Sequence, residues 1–167
     1  ENDPAFAPVL EDVERIQAID LHVTTLAAKT LLESAPDLSW VYLQHTDDIG
    51  HRDGDSPSMD FAVRWVDARV SELWGAVQAR SQQFVGEDWL VIVTTDHGRT
   101  SSNGKGHGGQ SDRERTIWIA SNSPRMVSPA KRSAAIVDIY PTIVEHMRFD
   151  MPEEVAAQLD GQSLLSQ

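Results

Sequence analysis

Trp89-Leu90-Val91-Ile92-Val93-Thr94-Thr95-Asp96-His97-Gly98-Arg99 runs from apolar, largely β-branched residues straight into an acid, an imidazole and a glycine. Such a block reads as a buried strand that delivers two ligand-type side chains to a loop at its carboxyl end, where α/β proteins place their chemistry. The loop goes on through Gly104-Lys105-Gly106-His107-Gly108-Gly109.

Upstream, Leu38-Ser39-Trp40-Val41-Tyr42-Leu43-Gln44 repeats the arrangement and ends in His45-Thr46-Asp47-Asp48-Ile49-Gly50-His51. Between the two blocks, Met59, Val63, Val66, Val70, Leu73 and Val77 recur every three or four residues, predicting an amphipathic helix from Ser58 to about Phe84. Strand, helix, strand is a crossover unit with parallel strands. Downstream, Thr116–Ala120 reads as a third strand. Ala134–Met147 reads as a helix with Asp138 as N-cap and Pro141 in its first turn, and Glu153–Leu159 as a short helix. Near the start, Val13, Ile16, Ile19, Val23, Leu26 and Leu31 share a helical face over Leu10–Glu33; Asp20 would cap a second helix if the run breaks near Ile19. The expected fold is α/β, a mostly parallel sheet flanked by helices, in one domain over residues 1–167 with 1–9 and 165–167 irregular.

The 167 residues suffice for one domain with its own core, and 40% hydrophobic content with five tryptophans gives no sign of a disordered chain. A formal net charge of −12 argues against binding nucleic-acid polymers, which takes an excess of Lys and Arg. With no cysteine, disulfides and thiolate metal sites are excluded, so any metal is held by histidine nitrogens and carboxylate oxygens. No apolar run approaches the roughly 18 residues of a membrane span. The chain therefore reads as soluble, in a compartment the residues do not specify. It opens on Glu1 and reads as a processed or excised piece.

Asp47, His51, Asp96, His97 and His107 all lie just beyond an apolar block or in the loop after one. Parallel strands would bring them to one sheet edge, and this donor set suits zinc-type divalent ions, which take about four ligands. Two such ions roughly 4 Å apart clamp the attacking and leaving oxygens of a phosphoryl transfer. Glycines 98, 104, 106, 108 and 109 would let backbone approach the ions. The loop is not a nucleotide P-loop, because Lys105 is followed by Gly106. His22 and His146 lie in helix patterns and read as ordinary helix residues; His45 reads equally as support for the site or as nothing more than packing.

Asp47-x-x-Gly50-His51, Asp96-His97-Gly98 and Gly106-His107-Gly108, in this order, resemble the alkaline phosphatase superfamily, most closely its type I phosphodiesterase and nucleotide pyrophosphatase branch. Val137–Ile143 and Asp160–Leu164 are similar to that family's late helix and closing motif. The resemblance implies an alkaline-phosphatase-like catalytic domain, of which this chain is the carboxyl-terminal portion. It implies two divalent ions, most often zinc, with manganese or magnesium as alternatives. One is held by Asp47, His51 and His107, the other by Asp96 and His97 with a further aspartate and a Thr or Ser nucleophile. Nothing before Asp47 resembles the segment carrying those last two groups, so no catalytic nucleophile is assigned in this chain.

Arg99 stands where the family often has an apolar residue, and with Lys105 it is a candidate contact for the phosphate of a small ester substrate. The implied activity is hydrolysis of phosphodiesters or phosphate monoesters, with the isolated chain nearly inactive. The rival readings are a non-catalytic α/β interaction module and, among enzymes, a sulfatase, phosphonate hydrolase or phosphomutase relative. A truncated sheet would expose an apolar edge and favour self-association.

Overall fold

The computed structural model describes residues 12–127 and 132–166. The irregular lead-in expected over 1–9 lies outside them, as do Leu10 and the final Gln167. Chain packing divides the molecule into two compact units, the first running to Trp89 and resuming over Arg99–Gly109, the second comprising Leu90–Gly98 and Gln110–Gln167.

The first unit is helical. α1 (Asp12–Glu33) is continuous, with no break at Ile19, and packs along α3 (Pro57–Gln83). The α1 face that turns inward carries Ile16, Asp20, Thr24 and Leu31, while Leu26, expected on the apolar face, is 50% exposed. α3 starts where Pro57 supplies a pre-set φ and the Ser56 hydroxyl accepts from Met59 N–H. It buries Ala62, Ala76 and Val77, whose modest bulk suits close helix approach.

Between them lies α2 (His45–Asp53), a helix in a stretch expected to be a strand-end loop. Its sequence has almost no apolar periodicity; only Ile49 is a buried apolar side chain. Tertiary contacts hold it instead. Asp20 on α1 is buried, and its carboxylate accepts the Gln44 and His45 N–H groups at 3.1 and 2.9 Å, which are first-turn donors with no partner inside α2. At the other end Gly54 takes a φ of 64° and donates its N–H to Gly50 O.

The second unit contains one two-stranded ladder. β1 (Ile92–Thr94) pairs antiparallel with β2 (Ile119–Ser121), Val93 opposite Ala120, and Thr94 Oγ1 donates to Trp118 O at 2.8 Å. The sheet was expected to be mostly parallel, and this pairing runs the other way. The segment between the strands holds only the four-residue α4 (Asp112–Arg115), too short to carry the chain back along the strand as a crossover helix. Leu38–Gln44, expected as a strand, has no ladder partner among the described residues; Leu38, Trp40 and Tyr42 point into solvent at 60, 86 and 56% exposure. The apolar run has strand composition, but a strand needs a neighbour.

A 3₁₀ turn (Ile136–Asp138) leads into α5 (Ile139–Met147), followed by α6 (Glu153–Ala156). Asp138 does stand at the N-cap position, but it serves the chain on either side and not α5. Its buried carboxylate accepts from Ala135 N–H, Gln162 N–H and Arg132. Burial alone would raise its pKa, yet these donors together hold it below the usual carboxylate value. Thr142 Oγ1 accepts from Leu164 N–H, which buries Leu164 to 2% exposure. Gly161 has no room for a Cβ, which would overlap the Val137 carbonyl. The two late motifs, Val137–Ile143 and Asp160–Leu164, are thus halves of one buried junction. Leu165, expected to be irregular, bridges Met126.

Candidate metal centre

α2 fixes two of the expected ligands. Asp47 and His51 are four residues apart, so both side chains leave the same helical face, with His51 Nε2 3.4 Å from Asp47 Oδ2. The third comes from the glycine-rich loop. Thr100 N–H donates to Gly106 O, Gly104 N–H to Thr100 O, and Lys105 N–H to the Asn103 side chain, folding residues 100–106 into a compact turn. That turn is pinned to the end of α2 by Asp55 N–H donating to Asn103 O at 2.9 Å. Gly104, with a φ of 70°, sits so close to Asp55 that a side chain would collide with it.

The pinned loop brings His107 over α2. Its Nε2 lies 3.0 Å from His51 Nε2 and 3.8 Å from Asp47 Oδ1. One donor atom from each of Asp47, His51 and His107 falls within 4.8 Å of the others. With bonds of about 2.0–2.1 Å to zinc, the edge of a coordination tetrahedron is about 3.3 Å; the two histidine nitrogens are 3.0 Å apart, and His51 and His107 approach different Asp47 oxygens, Oδ2 at 3.4 Å and Oδ1 at 3.8 Å. The fit is chemical as well as metric. Two imidazole nitrogens 3.0 Å apart share one proton at most as a neutral pair, whereas both lone pairs are satisfied on a cation. Asp47 is 31% and His107 30% exposed at the side chain, so the cluster is open to an ion and a further ligand.

Arg99 does not face open solvent. Its Nη2 donates to the Asp47 backbone carbonyl at 2.8 Å and pairs with Asp47 Oδ1, and its side chain is 10% exposed. The guanidinium lies where a Cβ on residue 50 would be, so a larger residue there would displace it. Lys105 is exposed on the loop.

The expected second pair lies in the other unit. Asp96 and His97 follow β1; Asp96 Oδ1 accepts His97 N–H at 3.0 Å, and His97 Nδ1 is 2.8 Å from Gly98 O. A carbonyl can only accept, so Nδ1 carries the proton and the neutral ring keeps its lone pair on Nε2, the tautomer a metal ligand needs. Gly98 was read as making room for an ion, but it makes room for protein: its N–H donates to Glu114 O, and an added Cβ would overlap Arg113 O.

On the opposite side of α2, His45 is buried, its Nε2 3.0 Å from Gln17 Nε2 and its ring edge-on to Trp65. Burial and then the Arg52 charge push its pKa down. It packs α2 onto its neighbours and takes no part in the cluster. Asp20 was legible only as a possible cap of its own helix; no local signal tied it to residues 44 and 45. Burial, the largest cause, raises its pKa against the lowering effect of those two N–H groups.

The family model for type I phosphodiesterase / nucleotide pyrophosphatase matches residues 5–163, nearly the whole chain. No curated protein matches, and no solved structure matches. Among the described residues, no helix is long and apolar enough to cross a membrane.

Proposed function

Because this chain belongs to the type I phosphodiesterase / nucleotide pyrophosphatase family, a family of hydrolases, we propose that it forms part of a two-metal catalytic domain cleaving phosphodiesters or phosphate monoesters. The carrying observation is the convergence of Asp47, His51 and His107 at 3.0 to 3.8 Å from an α-helix and a pinned loop. These three hold one zinc-type ion; manganese and magnesium are the alternatives. Asp96 and His97 contribute to the second, consistent with the His97 tautomer. Bound ions of this kind polarise a phosphoryl oxygen and lower the pKa of a bound water or hydroxyl.

Lys105, exposed on the same loop as His107, contacts the substrate phosphate. No nucleophile and no second carboxylate for the second ion are assigned among these residues, so the chain alone turns over little substrate. Leu38–Gln44 takes its place in a mostly parallel sheet of the alkaline-phosphatase type, which would cover Leu38, Trp40 and Tyr42; left open, that face favours self-association.

Equilibrium dialysis against zinc followed by metal analysis tests the reading. The expected result is at least one ion per chain in the wild type and loss of that ion in Asp47→Ala. Metal at trace level in both would overturn it and leave a non-catalytic α/β module. Hydrolysis of p-nitrophenyl sulfate in preference to bis(p-nitrophenyl) phosphate by the metal-loaded chain would move the assignment to sulfatases.

A further inference from the structure

We propose that Arg99 is a positioning residue for the metal ligand Asp47: it occupies carboxylate oxygen Oδ1, leaves Oδ2 to the ion, and is seated in the space that Gly50 leaves open. The proposal rests on the metal reading above and goes beyond it, since it concerns how a ligand is aimed and not which residues are ligands.

Asp47 has two carboxylate oxygens with different surroundings. Oδ2 faces His51 Nε2 at 3.4 Å, whereas Oδ1 faces His107 Nε2 at 3.8 Å. Oδ1 is paired with Arg99 Nη2, which also reaches the Asp47 backbone carbonyl at 2.8 Å. A guanidinium nitrogen that holds a side-chain oxygen and the carbonyl of the same residue fixes χ1 and χ2 of that residue together. The carboxylate can then offer the ion one oxygen only. Ligating carboxylates are commonly held by such hydrogen bonds, and removing the partner costs about 10- to 100-fold in metal affinity.

Arg99 is itself held. Its Nη1 lies 3.4 Å from Gly104 O, in the turn that carries His107, and its guanidinium fills the volume beside the Gly50 Cα. One side chain therefore couples α2 to the loop, touching a ligand on one and the backbone of the other. It is only 10% exposed, which removes it from the candidate substrate contacts and explains a cation beside a site for cations: it neutralises the carboxylate that the ion does not fully use.

Zinc(II) affinity of the full 167-residue chain, measured by competition with a chromophoric chelator, tests the inference. Arg99→Met is expected to weaken binding about 10- to 100-fold. Arg99→Lys, which keeps the charge and cannot fork, falls between it and the wild type. Gly50→Ala is expected to weaken zinc by a similar factor although alanine is the better helix former. The double variant should be no weaker than the weaker single one, because both remove the same contact.

With cobalt(II) as probe, the visible absorption of Arg99→Met should drop as the freed carboxylate binds through both oxygens and coordination rises. Zinc affinity within twofold of wild type in Arg99→Met or Arg99→Lys, with loss of binding in His107→Ala, would overturn the role of Arg99 and leave the site standing. Equal affinity in all variants, His107→Ala included, would overturn the site itself.

Discussion

Replacing His107 by alanine removes the one of the three proposed ligands that does not come from α2. Complete zinc sites with four protein ligands are worth about 10–16 kcal/mol at neutral pH, or roughly 3 kcal/mol per ligand. At 1.4 kcal/mol per decade, losing one weakens binding about 100-fold. The loss should not be recovered by rearrangement, because His51 and Asp47 are set by one helix and the vacated position faces solvent on the loop side.

Thermal or urea unfolding with and without zinc reads the same number independently. At a free zinc concentration of about 100 times the wild-type Kd, the wild type gains about 2.7 kcal/mol, whereas a variant with a 100-fold higher Kd gains only about 0.4 kcal/mol. His22→Ala, on the exposed side of α1, serves as the control and should retain the full gain. A zinc-dependent gain in His107→Ala equal to that of the wild type would refute the assignment of the third ligand, whatever the chain then binds.

Gly161→Ala should cost about 2–4 kcal/mol in urea unfolding, because the new methyl meets the Val137 carbonyl and separates Gln162 N–H from the Asp138 carboxylate and Leu164 from its pocket. An unchanged midpoint would show that this junction yields. Asp20→Ala should destabilise by about 0.5–2 kcal/mol and speed amide hydrogen exchange at Gln44 and His45, the two groups it leaves without an acceptor.

Asp138 has its folded pKa below the 3.8 of an ordinary aspartate, so the native state binds fewer protons than the unfolded one in that window. Its stabilisation is present above 3.8 and lost as pH falls through the lower folded value. Asp138→Asn should be less stable at neutral pH and lose less on acidification, read from urea midpoints along the pH scale; parallel curves for the two proteins would exclude this contribution.

What could be read in advance follows from which interactions are local. α3 and α1 were legible as helices from their apolar spacing, although Val63 and Leu26, expected on the apolar faces, are exposed and α3 buries Ala62 and Ala76 instead; α5 needed only Pro141 and a short apolar run. Residue type alone offered five candidates, Asp47, His51, Asp96, His97 and His107; the resemblance grouped three of them, and the structure brings donor atoms of those three within 4.8 Å of one another. α2 was not visible as a helix. Its stretch is polar throughout, and its support comes from Asp20 on another helix; the one local trace was the four-residue step from Asp47 to His51. The strand at 38–44 was read from composition, which reports suitability for a sheet, while pairing depends on a neighbour that the described residues do not supply. Arg99 was the least legible. Its partner, Asp47, and its seat, Gly50, lie far upstream, and an empty volume leaves no mark on a sequence except a glycine.

α2 is nine residues long, shorter than the roughly 12–15 at which isolated helices become marginal in water. Cut loose from α1, it would spend little time as a helix, and Asp47 and His51 would seldom share a face. The geometry proposed to bind an ion therefore comes into being late, once α1 has docked and Asp20 has closed the first turn. Zinc added to the unfolded chain finds scattered histidines and no prearranged pair. The rate at which tight zinc binding appears after dilution from denaturant should then track the docking of α1 on α2, making the ion a clock for a folding step some distance from its own ligands.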